Sequence, residues 1–85
     1  MTDEKPLEIA QLYAPIIERV HGENHPELTR VRELTEQITA DGADLKAVFA
    51  ELRTVTNDYA IPGDVCETFV ATYKALEDVE AELVG

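Results

Sequence analysis

The sequence predicts an all-α protein, an up-down bundle of four short helices forming one domain over residues 1–85. A chain of 85 residues has room for a single core. Apolar residues recur at three- and four-residue steps in four segments, and glycine or proline separates each segment from the next. Alternation with a period of two, rich in β-branched residues, is nearly absent, so strands are not expected. Three long helices are the alternative.

The first helix is predicted from an apolar stripe that ends before Gly22, which we expect to stop the helix in a left-handed conformation. Pro15 lies within this stripe. It either kinks the helix or marks the first turn of a helix that starts later, because proline lacks the N–H of a helix interior and suits a first turn. The predicted core residues are Ile9, Leu12, Tyr13, Ile16, Ile17 and Val20.

The second helix is predicted to open at Pro26 and Glu27. Proline suits a first helical position, and the glutamate faces the positive end of the helix dipole. Its apolar stripe consists of Leu28, Val31, Leu34 and Ile38.

The third and fourth helices have aspartates at their predicted starts. Asp41 or Asp44 caps the third helix, which ends near residues 57–58. Asp64 begins the fourth, and Glu67 three residues later suggests a capping box. Short connections make successive helices antiparallel. The two stripes are Leu45, Val48, Phe49, Leu52 and Val55, and then Phe69, Thr72, Tyr73, Leu76, Val79 and Leu83.

The charge of the chain restricts its partners. Eighteen acidic and seven basic side chains give a formal charge of −11, which repels nucleic acid and anionic membranes. Basic protein surfaces and cations remain compatible, although a highly charged surface also serves solubility alone. A single cysteine, no signal-peptide pattern at the N-terminus and no long apolar run lead us to expect a soluble protein of the cytoplasm.

Two histidines, four residues apart, are the candidate metal ligands. On one continuous helix His21 and His25 would face the same ion, with Glu18 or Glu23 as a carboxylate ligand. Gly22 and the proline after His25 instead indicate a corner between two helices, where each histidine caps one helix end. We favour capping over metal ligation.

Cys66 is placed in the first turn of the fourth helix. The helix dipole there lowers a thiol pKa and favours a reactive thiolate, which would suit a thiol-based stress sensor. Free cysteine more often behaves as a small buried hydrophobe, and its neighbour Val65 is apolar, so the core role is the preferred interpretation.

Two stretches resemble the hemerythrin-like di-iron proteins that repair damaged iron–sulfur clusters. The first is residues 17–28, IERVHGENHPEL. The second begins at residues 55–62, VTNDYAIP, and continues through CETF at residues 66–69 to Tyr73. The resemblance implies a four-helix bundle.

The ligands of that family are mostly missing. Among its iron-binding histidines and glutamates only His21 has a counterpart; residues 36–40 offer no histidine, and Asp44 stands where one is expected. The resemblance therefore implies a shortened, ligand-depleted relative without enzymatic activity or cofactor, with an accessory or protein-interaction role in stress response. The alternative is an iron or zinc protein whose site is completed in an oligomer by His21, His25, Glu18 and Glu23.

Overall fold

A computed structural model describes residues 5–85 of the chain as four α-helices joined by turns. The N-terminal residues 1–4, from which the absence of a signal peptide was partly argued, lie outside this range. The helices are α1 (Pro6–His21), α2 (Leu28–Gln37), α3 (Leu45–Val55) and α4 (Glu67–Leu83). Residues 5–85 contain no strand, which confirms the all-α prediction. Within the same residues, no helix combines the length and apolarity needed to span a membrane.

Helix α1 buries a face that only partly coincides with the predicted one: Ile17 is buried as expected and Ile9 packs against the core. Leu12 and Val20 are each 61% exposed, so their assignment to the core was wrong. The buried side chains of α1 are Ala10, Ala14 and Ile17. Because α1 packs against both α2 and α4, small alanine side chains allow close approach where larger ones would hold the helices apart.

Four predicted helix boundaries have different outcomes. Helix α1 begins at Pro6 and continues through Pro15, so it does not start late. Gly22 has φ −62° and ψ −27°, which is right-handed, so the left-handed stop was wrong. The Asp44 carboxylate accepts a hydrogen bond from the backbone N–H of Ala47 at 3.2 Å and caps α3 as expected. Asp64 does not cap α4, which begins three residues later with Cys66 as its N-cap.

One continuous core joins all four helices. The stripes predicted for α2, α3 and α4 line this core, except that Leu83 at the end of α4 is half exposed. Phe69, Leu52 and Leu76 are fully buried at its centre. Every buried side-chain nitrogen or oxygen in the described part of the chain has a hydrogen-bond partner. The core is therefore packed without an orphaned polar group.

Polar contacts show how the helices run relative to one another. Gln11 donates to Thr39 at 3.2 Å, and Arg32 donates to Glu18 at 2.7 Å, so α1 and α2 are antiparallel. The end of α1 lies beside the start of α4. The two C-terminal ends of α3 and α4 are joined, because Arg53 donates to both Glu80 oxygens at 2.9 and 3.0 Å. Residues 56–66 then lead back to the start of α4.

A short left-handed turn follows α3. Asn57, Asp58 and Tyr59 have φ of 54°, 59° and 60°. This conformation is unfavourable for a bulky L-residue and least so for asparagine and aspartate. Tyr59 is held there because its side chain is buried and its hydroxyl donates to Glu80 at 3.1 Å.

Candidate functional site

The candidate site forms where the end of α1, the corner at residues 22–27 and the start of α4 meet. His21 is the last residue of α1, His25 lies in the corner, and Cys66 is the N-cap of α4. Packing of α1 against α4 brings these residues together across 45 positions of sequence. The site therefore depends on the tertiary fold.

Cys66 and His21 form a thiol–imidazole pair. The distance from His21 Nε2 to Cys66 Sγ is 3.2 Å, within hydrogen-bonding range for sulfur. When the sulfur is a thiolate, the Nε2–H group donates to it; when it is a thiol, the S–H group donates to neutral imidazole. Cys66 is exposed, which corrects the preferred expectation of a core role. A reagent in solution can thus reach the sulfur.

The surroundings of Cys66 lower its pKa from the ordinary range of a thiol, near 8.5, to about 7. The largest cause is the hydrogen bond with His21, followed by the backbone N–H groups of Phe69 and Thr68 at the open start of α4. These donors favour the negatively charged sulfur. Desolvation opposes these donors and has a larger effect than the Thr68 N–H, but it does not outweigh them together. Near neutral pH, about half of the chains carry a thiolate at this position.

The buried ring of Phe69 packs against the imidazole rings of both histidines. Its side chain is fully buried, and its ring centroid lies 5.7 Å from that of His21 and 5.7 Å from that of His25, with edge-to-face geometry at both. Tyr73 packs against Phe69 at 4.5 Å. Burial of these aromatic rings, one turn apart on α4, fixes the direction in which the imidazoles point.

His25 is held by carboxylates on both sides of its ring. Nε2 lies 3.1 and 3.2 Å from the two oxygens of Asp64, and Nδ1 lies 3.4 Å from Glu27. Two expected caps fail for this reason. His25 does not cap α2, whose N-cap is Glu27, and Asp64 bonds this imidazole instead of the N–H groups of α4. The pair ties the corner to the segment before α4.

The four residues predicted as metal ligands lie apart in their contacts. His21 faces Cys66, His25 faces Asp64, Glu18 pairs with Arg32 on α2, and Glu23 is exposed in the corner. Residues 5–85 hold no group of three or more His, Cys, Asp or Glu side chains arranged to bind a metal ion.

Three shallow surface grooves lie elsewhere on the molecule. One, of about 210 Å³, lies between α2 and α3; a second of about 210 Å³ is lined by Tyr59 and Ile61; a third, of about 260 Å³, lies between α1 and α4. None of the three is lined by Cys66 or His21. The thiol–imidazole pair therefore lies outside these three grooves.

Reasoning from the sequence found the helix N-terminus at Cys66 but missed its partner. In an antiparallel pair, the end of α1 lies beside the start of α4. That arrangement of the predicted helices was the signal that could have identified His21 as the partner of Cys66. No family model, curated protein or solved structure matches this chain.

Proposed function

We propose that this protein is a non-catalytic, thiol-based redox sensor that acts through protein interaction. Cys66 is reversibly modified, and the modified protein differs from the reduced one in what it binds. The observation that carries the proposal is the 3.2 Å contact between His21 Nε2 and an exposed Cys66 Sγ at the start of a helix.

Chemistry supports this proposal in two steps. A thiolate, not a thiol, attacks disulfides, and its rate is best when the pKa lies near the ambient pH. The pKa of about 7 for Cys66 meets that condition near neutral pH. The chain has no second cysteine, so a modified Cys66 cannot be resolved within one chain. Its product persists until an external thiol removes it, which suits a sensor.

We also propose a cytoplasmic location and a relation to the hemerythrin-like repair proteins. A reducing cytoplasm would keep Cys66 reduced until stress, which agrees with the absence of a possible intrachain disulfide. The antiparallel contacts of α1 with α2 support an up-down arrangement. The relation to the hemerythrin-like repair proteins rests only on the two stretches of sequence that resemble them. The joined C-terminal ends of α3 and α4 do not fit a simple hairpin between those two helices.

The test is adduct formation with a neutral disulfide. We expect folded protein treated with hydroxyethyl disulfide at pH 7 to gain one adduct per chain by intact mass, and dithiothreitol to remove it. The Cys66→Ser variant should gain none. If folded protein reacts no faster at pH 7 than the same protein unfolded in urea, the thiol is not activated and the proposal fails.

A metal ion shared by two copies is the second candidate. Cys66 offers a sulfur ligand and His21 a nitrogen ligand, both of which bind zinc. In a tetrahedral zinc site a ligand nitrogen and a ligand sulfur lie about 3.6 Å apart, close to the 3.2 Å between His21 Nε2 and Cys66 Sγ. Two chains would supply four ligands, Cys66 and His21 from each. Native mass spectrometry with added zinc should then show one ion per two chains, lost in His21→Ala; a monomer without metal excludes it.

A further inference from the structure

We propose that two copies of this chain pair through the outward face of α1, as a weak antiparallel dimer centred on Ile16. The inference goes beyond the proposed function and does not rest on it, because the face uses none of the residues around Cys66.

The outward face of α1 carries an apolar stripe. Leu12 and Val20 are the two most exposed large apolar side chains in the described part of the chain, at 61% each, and Ile16 between them is partly exposed. Because an α-helix turns by about 100° per residue, three residues spaced four apart lie within about 80° of arc. Tyr13 borders this stripe and is also partly exposed. A contiguous apolar stripe left in solvent is typical of a surface that another protein covers.

Charge indicates that the occupant is a second copy. The chain carries −11 overall, yet residues 9–17 contain no charged side chain. The exposed charged residues on either side of this run, Glu8 and Arg19, have opposite signs, and neither belongs to an ion pair among residues 5–85. Two acidic copies can therefore meet here without the repulsion that opposes contact elsewhere. A basic partner would instead be drawn to the acidic remainder of the surface.

An antiparallel arrangement makes the stripe complementary to itself. With Ile16 on the two-fold axis, Leu12 of one copy meets Val20 of the other, since both lie four residues from the axis. Glu8 and Arg19 lie on the same edge of the stripe. Glu8 of one copy is then five residues, or about 7.5 Å along the helix, from Arg19 of the other, within reach of two long side chains. A parallel pair would bring like charges together at this edge, so the antiparallel direction is favoured.

The size of the face predicts a weak dimer. From residue 9 to residue 20 the stripe is about 18 Å long and one helix wide, which is smaller than a standard protein interface. We therefore expect a dissociation constant between about 10 μM and about 1 mM. The two Cys66 sites lie at opposite ends of the contact, each beside the end of its own α1, so the dimer does not depend on a disulfide or a shared metal ion.

Sedimentation equilibrium from about 10 μM to about 1 mM, with EDTA and a reductant present, tests the inference. The weight-average mass should rise from that of one chain toward that of two. Leu12→Gln and Val20→Gln leave the charge unchanged and should each raise the dissociation constant by about 10-fold or more, because a symmetric dimer loses each side chain twice. Leu83→Gln is the matched control, since it removes an exposed apolar side chain at the end of α4. It should change the constant by less than about 2-fold.

A charge reversal tests the antiparallel direction. Glu8→Arg places two arginines at the same edge and should raise the dissociation constant by about 3-fold or more at low salt. Adding Arg19→Glu should restore a value near that of the unaltered protein. Asp41→Arg makes the same change in net charge as Glu8→Arg at an exposed position outside α1, and it should not weaken the dimer. If Glu8→Arg behaves like Asp41→Arg, the antiparallel pairing is overturned.

The other outcomes also decide the inference. A mass of one chain up to about 1 mM overturns it, even if another protein binds this face. Equal weakening by Leu12→Gln and Leu83→Gln removes the assignment to α1, and loss of the dimer in Cys66→Ser would move the contact to the thiol site. Leu12→Ala and Val20→Ala repeat the comparison if a glutamine variant fails to fold. A failure here leaves the proposed function standing, since adduct formation is read at the thiol alone.

Discussion

Removal of the His21 imidazole should raise the pKa of Cys66. In His21→Ala the largest favourable contact of the thiolate is lost and only the backbone N–H groups at the start of α4 remain. We expect the pKa to rise from about 7 toward the ordinary range near 8.5. His21→Gln keeps a neutral hydrogen-bond donor and should give an intermediate value.

The rates can be worked out from this shift. For a full return of the pKa to about 8.5, the thiolate fraction at pH 7 falls from about one half to about 3%, roughly 15-fold; this is the upper limit, because the backbone N–H groups remain. A thiolate of higher pKa is a stronger nucleophile, by about 5-fold for a shift of about 1.5 units. The variant should therefore react about 3-fold more slowly at pH 7 and about 5-fold faster above pH 9.5. The two rate profiles cross.

The assay is the rate of reaction with a neutral, chromogenic pyridyl disulfide between pH 5 and pH 10. Arg19→Gln is the matched control, because it removes a cation from the same last turn of α1 without touching the Cys66–His21 hydrogen bond. It should keep the midpoint near 7. A midpoint near 8.5 in the unaltered protein, or profiles that do not cross, would refute the reasoning.

Three further outcomes concern stability. The folded state lowers the pKa of Cys66, so the contribution of this thiol to stability is present above the unfolded pKa and is lost as pH falls toward 7. The difference in thermal midpoint between the unaltered protein and Cys66→Ser should therefore increase from pH 7 to pH 9. A difference that stays constant over this range contradicts the prediction. Glu80→Gln should lower the free energy of unfolding by about 1 kcal/mol, or the thermal midpoint by roughly 4–8 °C, because it weakens the hydrogen bonds from Arg53 and Tyr59. The control Glu82→Gln, at an exposed position, should leave stability unchanged. Equal losses of stability in both variants would show that only the charge matters. In urea unfolding, Asn57→Ala should be about 1 kcal/mol less stable than Asn57→Gly, since only glycine adopts φ 54° freely; equal stabilities would contradict strain at this turn.

The helices were predictable from apolar periodicity where large side chains face the core. The α2 stripe is buried as predicted; in α3 the middle of the stripe is buried, while Leu45 and Val55 at its two ends are partly buried against the core. The pattern was only partly right in α1: Ile17 is buried as predicted, but the rest of the buried face consists of Ala10 and Ala14, which add little to an apolar stripe. Close packing against two neighbours, and not side-chain size, decides which face of α1 points inward.

The candidate site was less predictable because its contacts are long-range. The neighbourhood of His21 and His25 suggested helix caps, yet each imidazole bonds a residue about 40 positions away, Cys66 and Asp64 respectively. From the sequence Asp64 was a plausible cap of α4, but in the structure its carboxylate bonds His25 instead of the start of that helix. Local rules for caps do not register such competition, since they consider only one helix at a time.

Three arginines bridge neighbouring helices, and this has a consequence for the effect of salt. Arg32 joins α1 to α2, Arg30 joins α2 to α3 through Glu51, and Arg53 joins α3 to α4. These pairs are partly exposed and weaken in salt, whereas repulsion among the many remaining carboxylates weakens as well. With −11 charges in excess, the relief of repulsion outweighs the weakened pairs. The protein should therefore gain thermal stability as NaCl is added, in the manner of an acidic polyelectrolyte that needs counterions to stay compact.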